Sequence, residues 1–277
     1  MRNLAWAWII LAAALFAVTR PGGATGSLQA VSESPQAPGP AGGKKTPVIV
    51  ELFTSEGCSD CPPADALLTK LDETQPVPGA EVIVLEEHVD YWDHQGWADP
   101  FSSAEFTRRQ NDYANVFRNA SVYTPQMVVD GKFEFVGSRE GAAREAIAEA
   151  SRMAKTAVNL RLAGNADKPG IPLEVRIEKL AGATAGERAD VFLTITESRL
   201  HSDVVGGENS GRKLDHTAVV RRLERLGNAD AQAEAAFAGR PIVKLSANWD
   251  RSNLRAVVFI QEQRSRRILG AAEIPLS

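Results

Sequence analysis

Cysteine is scarce in this 277-residue chain: Cys58 and Cys61 are the only two. No second C-x-x-C and no H-x-x-x-H accompanies them, so a four-ligand structural zinc site has no support in the sequence. No lipobox cysteine is present either, and a lipoprotein is not expected. An excess of one charge is missing: 31 Lys and Arg against 35 Asp and Glu leave a net charge of −4, which gives no reason to expect a nucleic-acid partner. A phosphate-binding loop is absent as well. Gly206-Gly-Glu-Asn-Ser-Gly211 is glycine-rich but lacks the Lys and the strand-to-helix setting, and is taken as a flexible connection. No catalytic triad is visible in the second half. What remains is ordinary for a soluble globular protein: 44% hydrophobic and 24% charged residues, with length enough to bury a core.

The long apolar run is N-terminal. Arg2 precedes an uninterrupted stretch from Leu4 to Val18, and Ala24-Thr-Gly26 offers small residues for cleavage. This is short for a membrane span, which needs ~20 residues. A cleaved signal peptide over 1–26 is expected, with an uncleaved anchor as the rival. Either places the body of the protein in the periplasm or outside the cell, where disulfides persist, with no stable membrane insertion once the signal is cut. Residues 27–46, rich in Pro, Gly, Ser and Ala, are expected to form a disordered linker.

The two cysteines sit in an informative context. Pro47-Val-Ile-Val-Glu-Leu-Phe53 predicts a buried strand, and Ala64, Leu67, Leu68 and Leu71 predict an amphipathic helix after the pair. Strand, turn, C-x-x-C and helix are the layout that thiol–disulfide exchange requires: one thiolate attacks and a second thiol resolves the mixed disulfide. Cys58 is the candidate nucleophile, reachable at the helix N-terminus where the macrodipole favours negative charge, and Cys61 the resolving thiol. Pro62 and Pro63 fit the first helical turn. The bland rival is an inert bridge.

Glu81-Val-Ile-Val-Leu-Glu86 predicts the next strand, parallel to the first. After it comes His88-Val-Asp-Tyr-Trp-Asp-His-Gln-Gly-Trp97-Ala-Asp-Pro100, which crowds aromatic, His and Asp residues into a loop. Tyr91, Trp92 and Trp97 are candidate substrate contacts. The competing readings are a loop anchored by its own aromatics, and a metal site from His88, His94 and an aspartate. Ser102-Ser-Ala-Glu105 predicts a helix start. Thr124-Pro125 precedes Gln126 to Val129, and Asp130-Gly131 turns that strand into a hairpin. Arg139 to Met153 predicts a helix.

From Val158 the period changes to short alternating strands: Val158–Leu162, Leu173–Ile177, Ala189–Thr196, Val219–Leu223, Pro241–Trp249, Leu254–Gln261 and Ile268–Ile274. A helical turn is expected over Asp230–Ala238. The pattern predicts a mostly antiparallel β-sandwich-like domain over 158–277, following an α/β domain over 47–157. His216 stands alone in this half, and a structural or surface role is expected for it.

Over residues 47 to about 155 the chain resembles the thioredoxin superfamily. More narrowly, it resembles a family of exported, thioredoxin-like bacterial proteins, the domain-of-unknown-function family number 1223. The resemblance rests on Glu51-Leu-Phe-Thr-Ser-Glu-Gly-Cys-Ser-Asp-Cys-Pro-Pro-Ala-Asp65, His88-Val-Asp-Tyr-Trp92, Gly96-Trp-Ala-Asp-Pro-Phe101, Tyr123-Thr-Pro-Gln126, Gly206-Gly-Glu-Asn-Ser-Gly211 and Leu214-Asp-His216. It implies a thioredoxin-like domain with Pro125 cis and facing the cysteines, Thr124 beside it. The better-known thioredoxins carry Gly-Pro between the cysteines and a buried aspartate upstream. Here Ser59-Asp60 stands between them, and Glu51 is the candidate replacement for that aspartate. The expectation is an exported thiol–disulfide oxidoreductase acting on protein thiols or disulfides with a redox partner, needing no cofactor and no metal. Its rival is a non-catalytic binding module on the same scaffold, taking a soft metal such as Cu(I) or a protein partner.

Overall fold

β-Branched and apolar runs make the strands, and each strand's two-residue period decides what it faces. In the computed structural model, which describes residues 45–164 and 170–277, β1 (Thr46–Thr54) leads to α1 (Pro62–Thr74) and returns as β2 (Ala80–His88). β1 and β2 pair in parallel, in register from Thr46↔Ala80 to Thr54↔His88. The signal peptide expected over 1–26 and nearly all of the linker expected over 27–46 lie outside the described residues. Among the described residues no helix is long and apolar enough to cross a membrane.

After β2 come α2 (Ala104–Phe117), the hairpin β3 (Gln126–Val129) and β4 (Phe133–Val136), and α3 (Glu140–Ala150). The hairpin turns at Asp130-Gly131 as its sequence predicts, both residues having positive φ. The α2 cap lies one residue later than the sequence suggests: Ser103, not Ser102, accepts the Glu105 N–H at 3.2 Å.

The second half supplies β5 (Val158–Leu162), β6 (Ile171–Ile177), β7 (Ala189–Glu197), β8 (Leu200–Asp203), β9 (Lys213–His216), β10 (Val219–Ala229), β11 (Phe237–Gly239), β12 (Ile242–Val243), β13 (Leu254–Glu262) and β14 (Ile268–Pro275). Three expectations change here. The strand expected over Pro241–Trp249 shrinks to Ile242–Val243, and the helical turn expected over Asp230–Ala238 is a turn running into β11. β10 runs to Ala229, well past Leu223, because β7 offers it an antiparallel partner along that whole length, with two bulges.

One eight-stranded sheet, in the order β14-β13-β7-β10-β2-β1-β3-β4, takes strands from both sides of residue 157. The junction is narrow: β10 meets β2 in parallel at Val219↔Glu86, and the Glu86 N–H donates to Ala218 O at 3.0 Å. A smaller antiparallel sheet centres on β6, which pairs with β5, β11 and β12. Its odd-numbered residues Ile171, Leu173, Val175 and Ile177 bury against Val191, Leu193 and Ile195 of β7 and Ala256, Val258 and Ile260 of β13. The chain is thus a mixed α/β protein with a large central sheet and few helices.

Alternation sorts the strand residues onto two faces. Val48, Val50 and Leu52 of β1 pack with Ala64, Leu67, Leu68 and Leu71 of α1. Ile49 and Phe53 pack on the opposite face with Phe106 and Tyr113 of α2. Thr54, Glu86 and His88 share the parity of the α1 face, and Glu51 and Glu87 share that of the α2 face.

Candidate functional site

The carboxyl ends of β1 and β2 lie side by side, the place where parallel strands most often build sites. Four residues beyond β1, Cys58 begins the turn that leads into α1. Cys58 and Cys61 are joined by a disulfide with Cα atoms 5.4 Å apart. α1 starts at Pro62, so Cys61 rather than Cys58 is its N-cap residue. The Cys61 carbonyl accepts the Ala64 and Asp65 N–H groups at 2.8 and 3.1 Å, and the Cys58 N–H donates to Ser55 O at 3.1 Å.

The expected exposure of Cys58 is not found. It is 2% exposed and Cys61 fully buried, with only Ser59 and Asp60 between them open to solvent. The cover is the glycine-rich segment after β8, which the sequence suggested was only a connection. Asn209 is buried there, and its side-chain amide donates to Glu56 O and to Cys58 O, both at 2.9 Å. The Ser59 N–H donates to Glu208 Oε2 at 3.0 Å. Gly206 and Gly207 lie directly on Gly96 and Trp97: a Cβ built at Gly206 would sit 2.2 Å from Gly96 O. This strap therefore clasps the cysteine turn through side-chain hydrogen bonds and the aromatic loop through a backbone-to-backbone contact at Gly96.

The peptide Thr124-Pro125 is cis. Trp92 ties it to the cysteine turn, since its indole N–H donates to Thr124 Oγ1 at 2.8 Å and its Cβ lies 3.1 Å from where Gly57 would carry one. Pro125 and Ala64 of α1 both crowd Gly137, their Cβ atoms 3.2 and 3.1 Å from a Cβ built there. The polar tips of the other two loop aromatics also turn inward. Tyr91 donates to Gln110 Oε1 at 3.2 Å and Trp97 to Glu56 Oε2 at 2.7 Å. All three rings remain half-buried, with His94 exposed among them.

Glu51 is not near the cysteines. Odd parity carries it to the α2 face, where Arg109 holds it at 2.5 Å and Tyr113 donates its hydroxyl to it. Gln261 donates to the same Tyr113 hydroxyl at 2.7 Å, and Glu87 stands 3.4 Å from Arg109. Burial, then Glu51, push the Glu87 carboxyl well above its ordinary range, against the pull of Arg109. On the α1 face, one helical turn after Cys61, the buried carboxyl of Asp65 accepts the Thr54 hydroxyl at 2.6 Å. Burial, then the neighbouring Glu86, raise its pKa from 3.8 to about 7.

Joined to the cysteine turn through Glu56 is a buried chain of histidines and carboxylates. His88 Nδ1 is 2.7 Å from Asp99 Oδ2, and Asp99 also accepts the Glu56 and Phe101 N–H groups at 2.8 and 2.9 Å. His216 Nδ1 is 2.7 Å from Glu86 Oε1, and its Nε2 is 3.0 Å from Glu56 Oε1. Glu86 Oε2 accepts the Thr217 N–H at 2.8 Å. Burial alone would lower both imidazoles, but Glu86 and Glu56 hold His216 up at about 9, and Asp99 and Glu86 hold His88 well above its usual value. Burial likewise works to raise Glu86, and His216 with His88 overcomes it, bringing the carboxyl to about 2. His216 is therefore the centre of a cluster rather than a lone histidine. The metal set suggested from His88 and His94 is not formed, because His94 points into solvent.

Asp65, Glu56, Glu86, Asp99 and Asn209 were not singled out as site residues from the sequence. Two signals were available. Asp65 interrupts the apolar face of α1, and Glu86 and His88 sit two apart on one face of an otherwise apolar strand.

Residues 49–261 match the model of the family described as Protein of unknown function (DUF1223), and the chain belongs to that family. Among solved structures it is similar to protein AGR_C_4864 from Agrobacterium tumefaciens, at 25% identity and a TM-score of 0.64, over 85% of this chain and 96% of that one. It is also similar to HBP35 of Porphyromonas gingivalis, at 15% identity and a TM-score of 0.60, over 85% of this chain and 76% of that one; this likeness shows the fold alone. No curated protein matches the chain.

Proposed function

We propose that this protein is an exported thiol–disulfide oxidoreductase built on a thioredoxin-like half, with Cys58–Cys61 as its reacting pair. The observation that carries the reading is the Cys58–Cys61 disulfide in the turn into α1; the cis Thr124-Pro125 peptide, tied to that turn through Trp92, and the buried carboxyl of Asp65, one helical turn after Cys61, support it. Loop length argues the same way. A bridge closing about four residues contributes about 2 kcal/mol by chain entropy, against nearly 5 for a loop of about 100 residues. As a staple, this bridge is poorly placed.

In the oxidised form, a thiolate of a substrate dithiol attacks Cys58 Sγ. The Cys58–Cys61 bond breaks and Cys61 leaves with the electron pair, taking up a proton. The second substrate thiol, losing its proton, attacks its partner sulfur in the mixed disulfide and releases Cys58 as a thiolate. The substrate is oxidised by two electrons and the pair is reduced. A disulfide-bearing redox partner restores the bridge, and the same steps reversed reduce a substrate disulfide. To Asp65, one helical turn after Cys61, we assign the proton-accepting role expected of Glu51. Attack requires a free path to Sγ, so the strap over Cys58 must move first.

That cover favours one second reading: a permanently closed bridge beneath a protein-binding face. Turnover separates the two. Reduction of insulin disulfides by dithiothreitol should be accelerated by the wild type, not by Cys58→Ser, and more strongly by Asn209→Ala, which removes two hydrogen bonds of the strap. Folded proteins that give no acceleration in either the wild type or Asn209→Ala would overturn exchange in favour of the closed bridge.

A further inference from the structure

The histidine–carboxylate cluster has a feature that the exchange reaction does not use. His88 is fully buried, yet its Nε2 has no hydrogen-bond partner. It faces Glu86 Oε1 at 3.5 Å, and on the other side of that same oxygen lies His216 Nδ1 at 2.7 Å. A buried polar atom left without a partner is uncommon and costly, and calls for an occupant. We propose that Glu86, His88 and His216 form a binding site for a divalent first-row metal ion of borderline softness, with zinc as the ion to test.

The donor atoms already converge. One ligand atom from each of Glu86, His88 and His216 lies within 4.8 Å of the other two, the one such group among the described residues. An ion bound tetrahedrally at ~2.1 Å holds its ligands about 3.4 Å apart. The His88–Glu86 separation of 3.5 Å meets that as it stands. The His216–Glu86 contact, a hydrogen bond at 2.7 Å, must open by about 0.7 Å as the ion takes the proton's place. The two imidazoles stand edge to face, crossing at 75° with centroids 4.8 Å apart.

The far side of each ring is held as metal-binding imidazoles require. His88 Nδ1 is fixed by Asp99 at 2.7 Å and His216 Nε2 by Glu56 at 3.0 Å, which sets both ring orientations. Three carboxylates, Glu56, Glu86 and Asp99, thus face two imidazoles in a space closed to solvent. Two nitrogens and one carboxylate oxygen suit zinc, copper(II) or nickel(II) better than calcium or magnesium, which prefer oxygen, or copper(I), which prefers sulfur. Three protein ligands leave a fourth position for water or a small ligand. Neither sulfur takes part, so the site stands or falls independently of the exchange chemistry.

The test is calorimetric titration of chelator-stripped, oxidised full-length protein with zinc chloride, and the visible spectrum of the same protein with cobalt(II). One equivalent should bind, with the intense visible bands of tetrahedral cobalt. His88→Gln, His216→Gln and Glu86→Gln should each weaken zinc at least 100-fold, and Asp99→Asn 10- to 100-fold. Cys58→Ser/Cys61→Ser and His94→Ala/His201→Ala should bind as the wild type does, the latter pair being exposed. Circular dichroism confirms the fold of each variant. If a histidine variant fails to fold, the near-isosteric Glu86→Gln carries the comparison. No stoichiometric binding by the wild type, undiminished binding in folded Glu86→Gln, or loss of binding in His94→Ala/His201→Ala would overturn the proposal.

Discussion

Asp65→Asn isolates the energetic cost of a carboxylate held inside the α1 face. Burial first, and Glu86 second, raise this carboxyl from 3.8 to about 7. The folded protein therefore holds the proton more tightly than the unfolded chain does. The sign follows from linkage: stability from this group is fully present below about pH 4 and is lost as pH rises toward 7. That interval is about three pH units, and at about 1.4 kcal/mol per unit the loss totals about 4 kcal/mol. Asparagine carries no charge at any of these pH values and keeps an oxygen for the Thr54 hydroxyl, now 2.6 Å from Asp65 Oδ1. The unfolding free energy of Asp65→Asn minus that of the wild type should thus rise by about 4 kcal/mol between pH 4 and 7 and then level off. Urea unfolding followed by tryptophan fluorescence, with a chelator present throughout, measures this difference at each pH. Any pH-independent cost of the substitution cancels in the trend. A flat difference would refute the buried, proton-holding carboxylate. A difference that falls with pH would mean that Asp65 is a stabilised anion, the opposite of the electrostatics derived above.

Arg109→Met should cost about 3–5 kcal/mol in urea unfolding, because it strands Glu51 and Glu87 without their cation; a loss under about 1 kcal/mol would contradict the pairing. Gly206→Ala should speed reduction of the disulfide by a phosphine at least tenfold, since the new methyl would sit 2.2 Å from Gly96 O and must lift the strap. An unchanged rate would show that the strap is no barrier. Cys58→Ser/Cys61→Ser should lower stability by about 2 kcal/mol, as expected for so short a closed loop, and a loss near 5 would mark the bridge as a structural staple.

Much of this architecture is local enough to be legible in the sequence. β1 announces itself by an apolar run broken only by Glu51, the hairpin by Asp130-Gly131, and β5, β7, β13 and β14 by alternation. The parts that were not legible are long-range. β10 joins β2 through a single parallel position, Val219↔Glu86, and nothing near either residue signals it. His216 looks solitary because its partners Glu86 and Glu56 are 130 and 160 residues away. Glu51 was misplaced for a different reason. Period two separates the faces of β1, but only tertiary packing decides which face meets α1. The strap over Cys58 was missed because a glycine-rich composition carries no trace of what the segment clasps, here through Glu208 and Asn209.

Trapping of a mixed disulfide tests the exchange reading most directly. Cys61→Ser, incubated with a peptide disulfide and read by mass spectrometry, should accumulate the peptide on Cys58, and faster when Asn209→Ala is added. A folded Cys61→Ser protein that acquires no peptide, with or without Asn209→Ala, would contradict it.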